Sequence, residues 1–218
     1  MTLRLVALLG GAVAVCLSVA GCAKNNSSSP TAPTSTTTTT TAVSAPPPAG
    51  VSAGVWQVAF LPTDNAMHRA VAPIHVVLPS DATAETKDLF ASVAAQIGSV
   101  LQGNNTIDTT NTTTGVVYTV KITPGLVCGG VSGASGCTTV VTAGTGEVIS
   151  GTMEFVSAAA MLDRNLVQHE LYRTLGMTRN SPSPGVMAQQ PAASPTAEEI
   201  AMFLGRYKYP NGAVYAAQ

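Results

Sequence analysis

Residues 169–187 read HELYRTLGMTRNSPSPGVM, and the reading of the fold starts from them. Leu162, Leu166, His169 and Arg173 follow one another at helical spacing, and Val167, Leu171 and Leu175 form a neighbouring row. The spacing predicts a helix over roughly 158–175, with Gly176 as the residue that ends it, because a glycine tolerates the left-handed backbone of a helix C-terminus. His169 and Glu170 place an imidazole and a carboxylate side by side, a pair able to ligate metal or move protons. The plainer reading is that both are ordinary helix residues. Arg173 follows Glu170 by one turn on the same face, so the two are expected to form an ion pair. Arg179 and Met187 come after the glycine.

Downstream, Thr196-Ala197-Glu198-Glu199 has the form of a capping box, and Ile200, Phe203, Leu204 and Tyr207 form the apolar stripe of a last helix. Pro210-Asn211-Gly212 stops it. Upstream, Glu147–Val156 reads as a strand with Ile149, Met153 and Phe155 on one face, and its half-polar pattern and Gly151 suit a sheet edge. Thr138–Thr142 and the alternating Val116–Ile122 are further strands, as are the short apolar runs Trp56–Phe60 and Ile74–Leu78. Between them, Leu89, Phe90, Val93, Ala94, Ile97, Val100 and Leu101 predict a helix over 82–101, capped by Ser80 or Asp81, with Glu85 in its first turn and Gly103 at its end. His75, inside a strand, is expected to be packed or hydrogen-bonded, and His68, in a polar turn, to lie on the surface.

The chain has 218 residues, 45% of them apolar and 10% charged, with a net charge of -1. That suffices for one domain, placed at residues 51–218, and the lack of a basic cluster excludes nucleic acid as a partner. Residues 1–21 read as a signal peptide, from Arg4 through the apolar run Leu5–Ala20. Val19-Ala20-Gly21-Cys22 resembles a bacterial lipobox, which implies a diacylglyceryl group on Cys22; the other reading is a plain signal peptide with an incidental cysteine. Residues 22–50, rich in Thr, Ser and Pro, then form a disordered tether, because nothing in them can be buried to offset chain entropy. The expected location is the extracytoplasmic face of the cell membrane or outer membrane. In that oxidising compartment Cys128 and Cys137 are expected to form a disulfide across CGGVSGASGC; zinc binding would need more soft ligands than this neighbourhood holds.

Taken in order, the H-E-x-x-x-x-x-G helix, the mixed strands, the later methionine and the capped final helix resemble the metzincin zinc endopeptidases, the matrixin-like group in particular. The family pattern is H-E-x-x-H-x-x-G-x-x-H followed by a methionine turn. The resemblance implies an α/β (α+β) fold, with a twisted mixed sheet of about five strands, an antiparallel edge strand and about three helices. It makes His169 a zinc ligand, Glu170 the general base, Gly176 the helix end and Met187 the methionine turn. Two ligand positions depart from the pattern, since Arg173 and Arg179 stand where histidines are required. A guanidinium has no lone pair to give a metal and stays charged. Two functions follow as expectations. One is a membrane-tethered, non-catalytic binding module without a cofactor, monomeric, whose cleft takes a peptide or protein. The other is an active zinc endopeptidase that recruits ligands such as His68, His75 or a carboxylate from elsewhere.

Overall fold

Strand and helix periods alternate along the chain, and the structure alternates with them. The computed structural model describes residues 42–216. The expected signal peptide, Cys22 and the tether as far as residue 41 lie outside the described residues. In chain order the elements are β1 (Ser44–Ala45), α1 (Ala53–Trp56), β2 (Ile74–Val77), α2 (Ala84–Leu101), β3 (Ile107–Asp108), β4 (Val116–Ile122), β5 (Val127–Cys128) and β6 (Val131–Ser132). There follow β7 (Gly136–Thr142), β8 (Val148–Phe155), α3 (Arg164–Arg173), α4 (Ala197–Gly205) and β9 (Val214–Tyr215). Among the described residues, no helix is long and apolar enough to cross a membrane.

Five strands form the main sheet in the order β3-β2-β4-β8-β7. Neighbours are parallel except β7, which runs antiparallel to β8 at the edge. The mixed sheet with an antiparallel edge is therefore as expected, and among the described residues the α-helices number four, the short α1 being the addition. The edge is a different strand from the one expected. β8 pairs with β4 on one side and β7 on the other, so among the described residues β7 is the edge strand at that end of the sheet. Gly151 marks a close approach instead: a Cβ there would meet the Tyr118 ring at 2.2 Å and the Thr139 carbonyl at 2.3 Å. The space lets Tyr118 lie across the sheet and donate its hydroxyl to the Thr174 carbonyl at 3.0 Å. That bond ties β4 to the end of α3.

Ile149 was expected to share one face of the strand with Met153 and Phe155. A register shift between Val141 and Thr142 makes Val148 and Ser150 consecutive partners of β7, leaving Ile149 as the extra residue of a bulge. Val148 turns inward and Ile149 is 46% exposed.

One face of the sheet is covered by α2 and α3. Phe90 of α2 meets Phe155 edge-to-face, with centroids 5.9 Å apart, while Val167 and Leu171 of α3 are buried. Tyr172 of α3 stacks on Phe203 of α4 with centroids 4.4 Å apart.

The other corrections are local. Trp56–Phe60 is a helical turn running into a 3-10 turn (Gln57–Ala59), capped by Ser52, and not a strand. An unbroken apolar run does not distinguish a strand from a helix buried all round. The tether ends before residue 50: β1 pairs with β9, the Trp56 Nε1–H donates to the Ala45 carbonyl at 2.8 Å and the Tyr209 hydroxyl to that of Pro46 at 3.1 Å. These partners lie far away in sequence, so composition did not reveal them. The α2 cap is Thr83, because Pro79–Ala82 first closes a turn. The α3 start is set by Asp163, whose Oδ1 accepts the Asn165 and Leu166 N–H groups. In α4 the buried stripe is Glu199, Met202, Phe203 and Arg206, one residue out of step with the apolar one. Its two charged members are held inside by backbone hydrogen bonds, which hydrophobicity does not register.

Candidate functional site

A cleft of about 680 Å³ opens over α3. One wall is the segment from Cys128 to Gly136, and the other is formed by Thr178, Asn180 and Gln189–Pro191, with His169, Glu170 and Arg173 between them. The first wall is stapled by the expected disulfide, Cys128–Cys137, which joins β5 to the edge strand. Gly136 brings that strand close to α3, since a Cβ there would stand 2.9 Å from Glu170 Oε1 and 3.0 Å from Leu166 Cδ1.

His169 has a defined tautomer. Its Nδ1–H donates to the Val186 carbonyl at 2.6 Å. A carbonyl only accepts, so Nδ1 carries the proton and Nε2 presents a lone pair to the cleft. Burial, and next to it the charge of Arg173, hold the imidazole pKa down to about 4, so the ring is neutral at ordinary pH. Glu170 is buried beside it. Its Oε2 accepts the Thr138 hydroxyl at 2.7 Å. Burial raises its pKa, while Arg173 and Thr138 oppose that rise.

Arg173 lies in the cleft, but not in the ion pair expected of it. Its Nη2 donates to Asn180 Oδ1, and Glu170 is taken by Thr138. Each of the two side chains is thus taken by a short polar residue from outside the helix. Arg179 leaves the cleft altogether. Its Nε donates to the Phe60 carbonyl at 3.1 Å, so it fastens the loop after α1 instead of joining His169.

Met187 is buried next to the site, and the turn carrying it is gripped by Glu199. Val186 N–H donates to Glu199 Oε2 at 3.0 Å and Met187 N–H to Oε1 at 2.8 Å. The same carboxylate completes the capping box of α4 by accepting the Thr196 N–H at 3.0 Å. Gly176 ends α3 at φ 94°, and a Cβ there would lie 2.1 Å from the His68 carbonyl. Arg206, fully buried, donates to that carbonyl at 2.6 Å and to Leu175 at 2.8 Å, holding the turn down.

The histidines outside the motif are committed elsewhere. His68 is buried, contrary to expectation, with Nε2 2.7 Å from Asp64 Oδ2. His75 is hydrogen-bonded, as expected, to Asp108 at 2.8 Å. Neither lines the cleft. Zinc in a catalytic site takes three protein ligands. The cleft offers His169 Nε2 and the Glu170 carboxylate, and Arg173 brings only donors to the place where a third lone pair is needed. No group of three or more His, Cys, Asp or Glu that could hold a metal occurs among the described residues. The residues present do not fit catalytic zinc.

Thr138, Asn180 and the second role of Glu199 were not foreseen. The capping box pointed to Glu199, but only the return of the 185–188 turn onto α4 shows what else it holds. Searches against protein-family models, curated proteins and solved structures found no match.

Proposed function

We propose that this chain is an extracytoplasmic lipoprotein, anchored through Cys22, whose metzincin-like domain binds a peptide or protein segment in the α3 cleft without hydrolysing it. One observation carries the non-catalytic half of the reading. The guanidinium of Arg173 lies in the cleft one helical turn from His169, where a second imidazole would have to be. It adds positive charge and no lone pair. The metzincin-like half is supported by the antiparallel edge strand beside the cleft, the His169-Glu170 pair on its floor and the buried Met187 turn hydrogen-bonded to His169. A free sheet edge alongside a cleft is also the arrangement by which an extended peptide adds a strand. Stoichiometric zinc in the purified protein, with peptide cleavage abolished by E170Q, would overturn the non-catalytic reading. The ancestral frame has its own test: R173H, which places a second imidazole one turn from His169 on the cleft floor, is expected to take up zinc, whereas R179H, outside the cleft, is not. A folded R173H variant that takes up none removes the metzincin-like reading.

A further inference from the structure

The cleft contains a cation without an anion. Arg173 is 8% exposed, yet no carboxylate oxygen lies within 4.0 Å of its guanidinium among the described residues. Buried arginines are paired as a rule, because a desolvated charge is costly unless an opposite charge and hydrogen bonds offset it. Here Nη2 has the neutral Asn180 amide, Nε is sealed without a partner, and Nη1 has none among the described residues and is not sealed. Nη1 is the donor left to the cleft.

The acids nearby do not meet this demand. Glu170 turns one oxygen to Thr138, and its burial favours the neutral acid. Asp163 caps the far end of α3, about 15 Å along the helix from Arg173 at roughly 1.5 Å per residue. His169, neutral, presents an acceptor, and it lies one helical turn from Arg173, about 6 Å between Cβ atoms. The floor therefore offers a cationic donor and a neutral acceptor one turn apart.

On the reading that the cleft binds a peptide without cleaving it, we propose that it recognises the peptide's free C-terminal carboxylate. Arg173 Nη1 donates to the carboxylate, and His169 Nε2 accepts the N–H of the last peptide bond. A terminal residue carries its carboxylate and its amide N–H on the same Cα, a spacing that side chains one helical turn apart can span. The carboxylate of an Asp or Glu side chain stands further from its own N–H. Charge-assisted hydrogen bonds are the stronger class, so the terminal charge should dominate selection.

The test uses two degenerate pools of N-acetylated hexapeptides, identical except that one ends in free acids and the other in amides. Immobilised protein is exposed to each pool, and the retained peptides are quantified by mass spectrometry. The free-acid pool is expected to be retained at least about tenfold better, the equivalent of one charged hydrogen bond. R173Q should abolish the preference and R173K restore part of it, with Trp56 fluorescence confirming that both fold. A second arm needs no substitution: sodium acetate should displace the free-acid peptides from the unaltered protein more effectively than sodium chloride at equal ionic strength. Equal retention of both pools, or acetate acting no better than chloride, overturns the carboxylate proposal and leaves peptide binding standing. Retention of amidated peptides only when they contain Asp or Glu overturns the terminal assignment. If neither pool is retained, the peptide-binding reading falls, and this proposal with it.

Discussion

Substitution of Glu199 measures how strongly the last helix holds the cleft together. Its carboxylate accepts three backbone N–H groups, from Val186, Met187 and Thr196, at 2.8–3.0 Å. Val186 and Met187 are fully buried, so water cannot replace the lost acceptor. Each buried donor left unpaired costs about 1–3 kcal/mol. The capping box loses one of its two bonds besides. E199A is therefore expected to lose about 4 kcal/mol, and E199Q, which keeps one amide oxygen, about half of that. For a domain of this size, about 4 kcal/mol corresponds to a fall of roughly 8–16 °C in Tm. The adjacent Glu198 is the control, since its Oε1 accepts only the exposed Ser52 N–H; E198A should cost below about 1 kcal/mol. Urea unfolding followed by the single buried tryptophan, Trp56, reports both. Because the Val186 carbonyl accepts the His169 Nδ1–H, a bond that favours the protonated ring, displacing this turn in E199A should lower the imidazole pKa further in an NMR titration. If E199A unfolds within about 1 kcal/mol of E198A, the clamp has been misread.

Two further predictions concern protonation and packing. Unfolded His169 takes a proton near 6.5 while the folded ring resists down to about 4, so between those values the unfolded state binds more protons and stability falls as the pH is lowered. The loss is on the order of 3 kcal/mol. Glu170 acts in the opposite sense, since its raised pKa makes stability fall as the pH rises through the folded value. The comparison of the protein with H169Q isolates the histidine, and a stability difference that does not change between pH 7 and 4 would count against it. G151A should destabilise by about 2–3 kcal/mol. Y118A should not rescue it, because the Thr139 carbonyl at 2.3 Å remains in the way once the ring is gone. Full rescue in denaturant unfolding would show that the ring alone requires the glycine.

The sheet's central strands, the long helix α2 and the helix ending at Gly176 were legible because each buries one face of a regular element, and such a face repeats with its own period. The end at Gly176 and the capping box at Thr196 were legible because local backbone chemistry admits few residues there. Trp56–Phe60 misled because a segment buried all round has no period. The edge strand misled because Gly151 reflects the Tyr118 ring from a neighbouring strand, which no window of sequence contains.

The site divides in the same way. Sequence alone determined that His169 and Glu170 share a helix with Arg173, and that Arg173 and Arg179 have no lone pair for a metal, since both are properties of residue type and spacing. Only the tertiary structure decided where the two arginines go. Arg173 stays in the cleft, held by Asn180, and Arg179 turns to the Phe60 carbonyl. It also decided that Glu170 bonds Thr138 instead of Arg173, and that Glu199 fixes the turn that orients His169. Those outcomes depend on which donors and acceptors the folded chain brings within hydrogen-bond reach. Such partners come from distant segments, so their pairing is set by the packing of whole elements and not by local sequence.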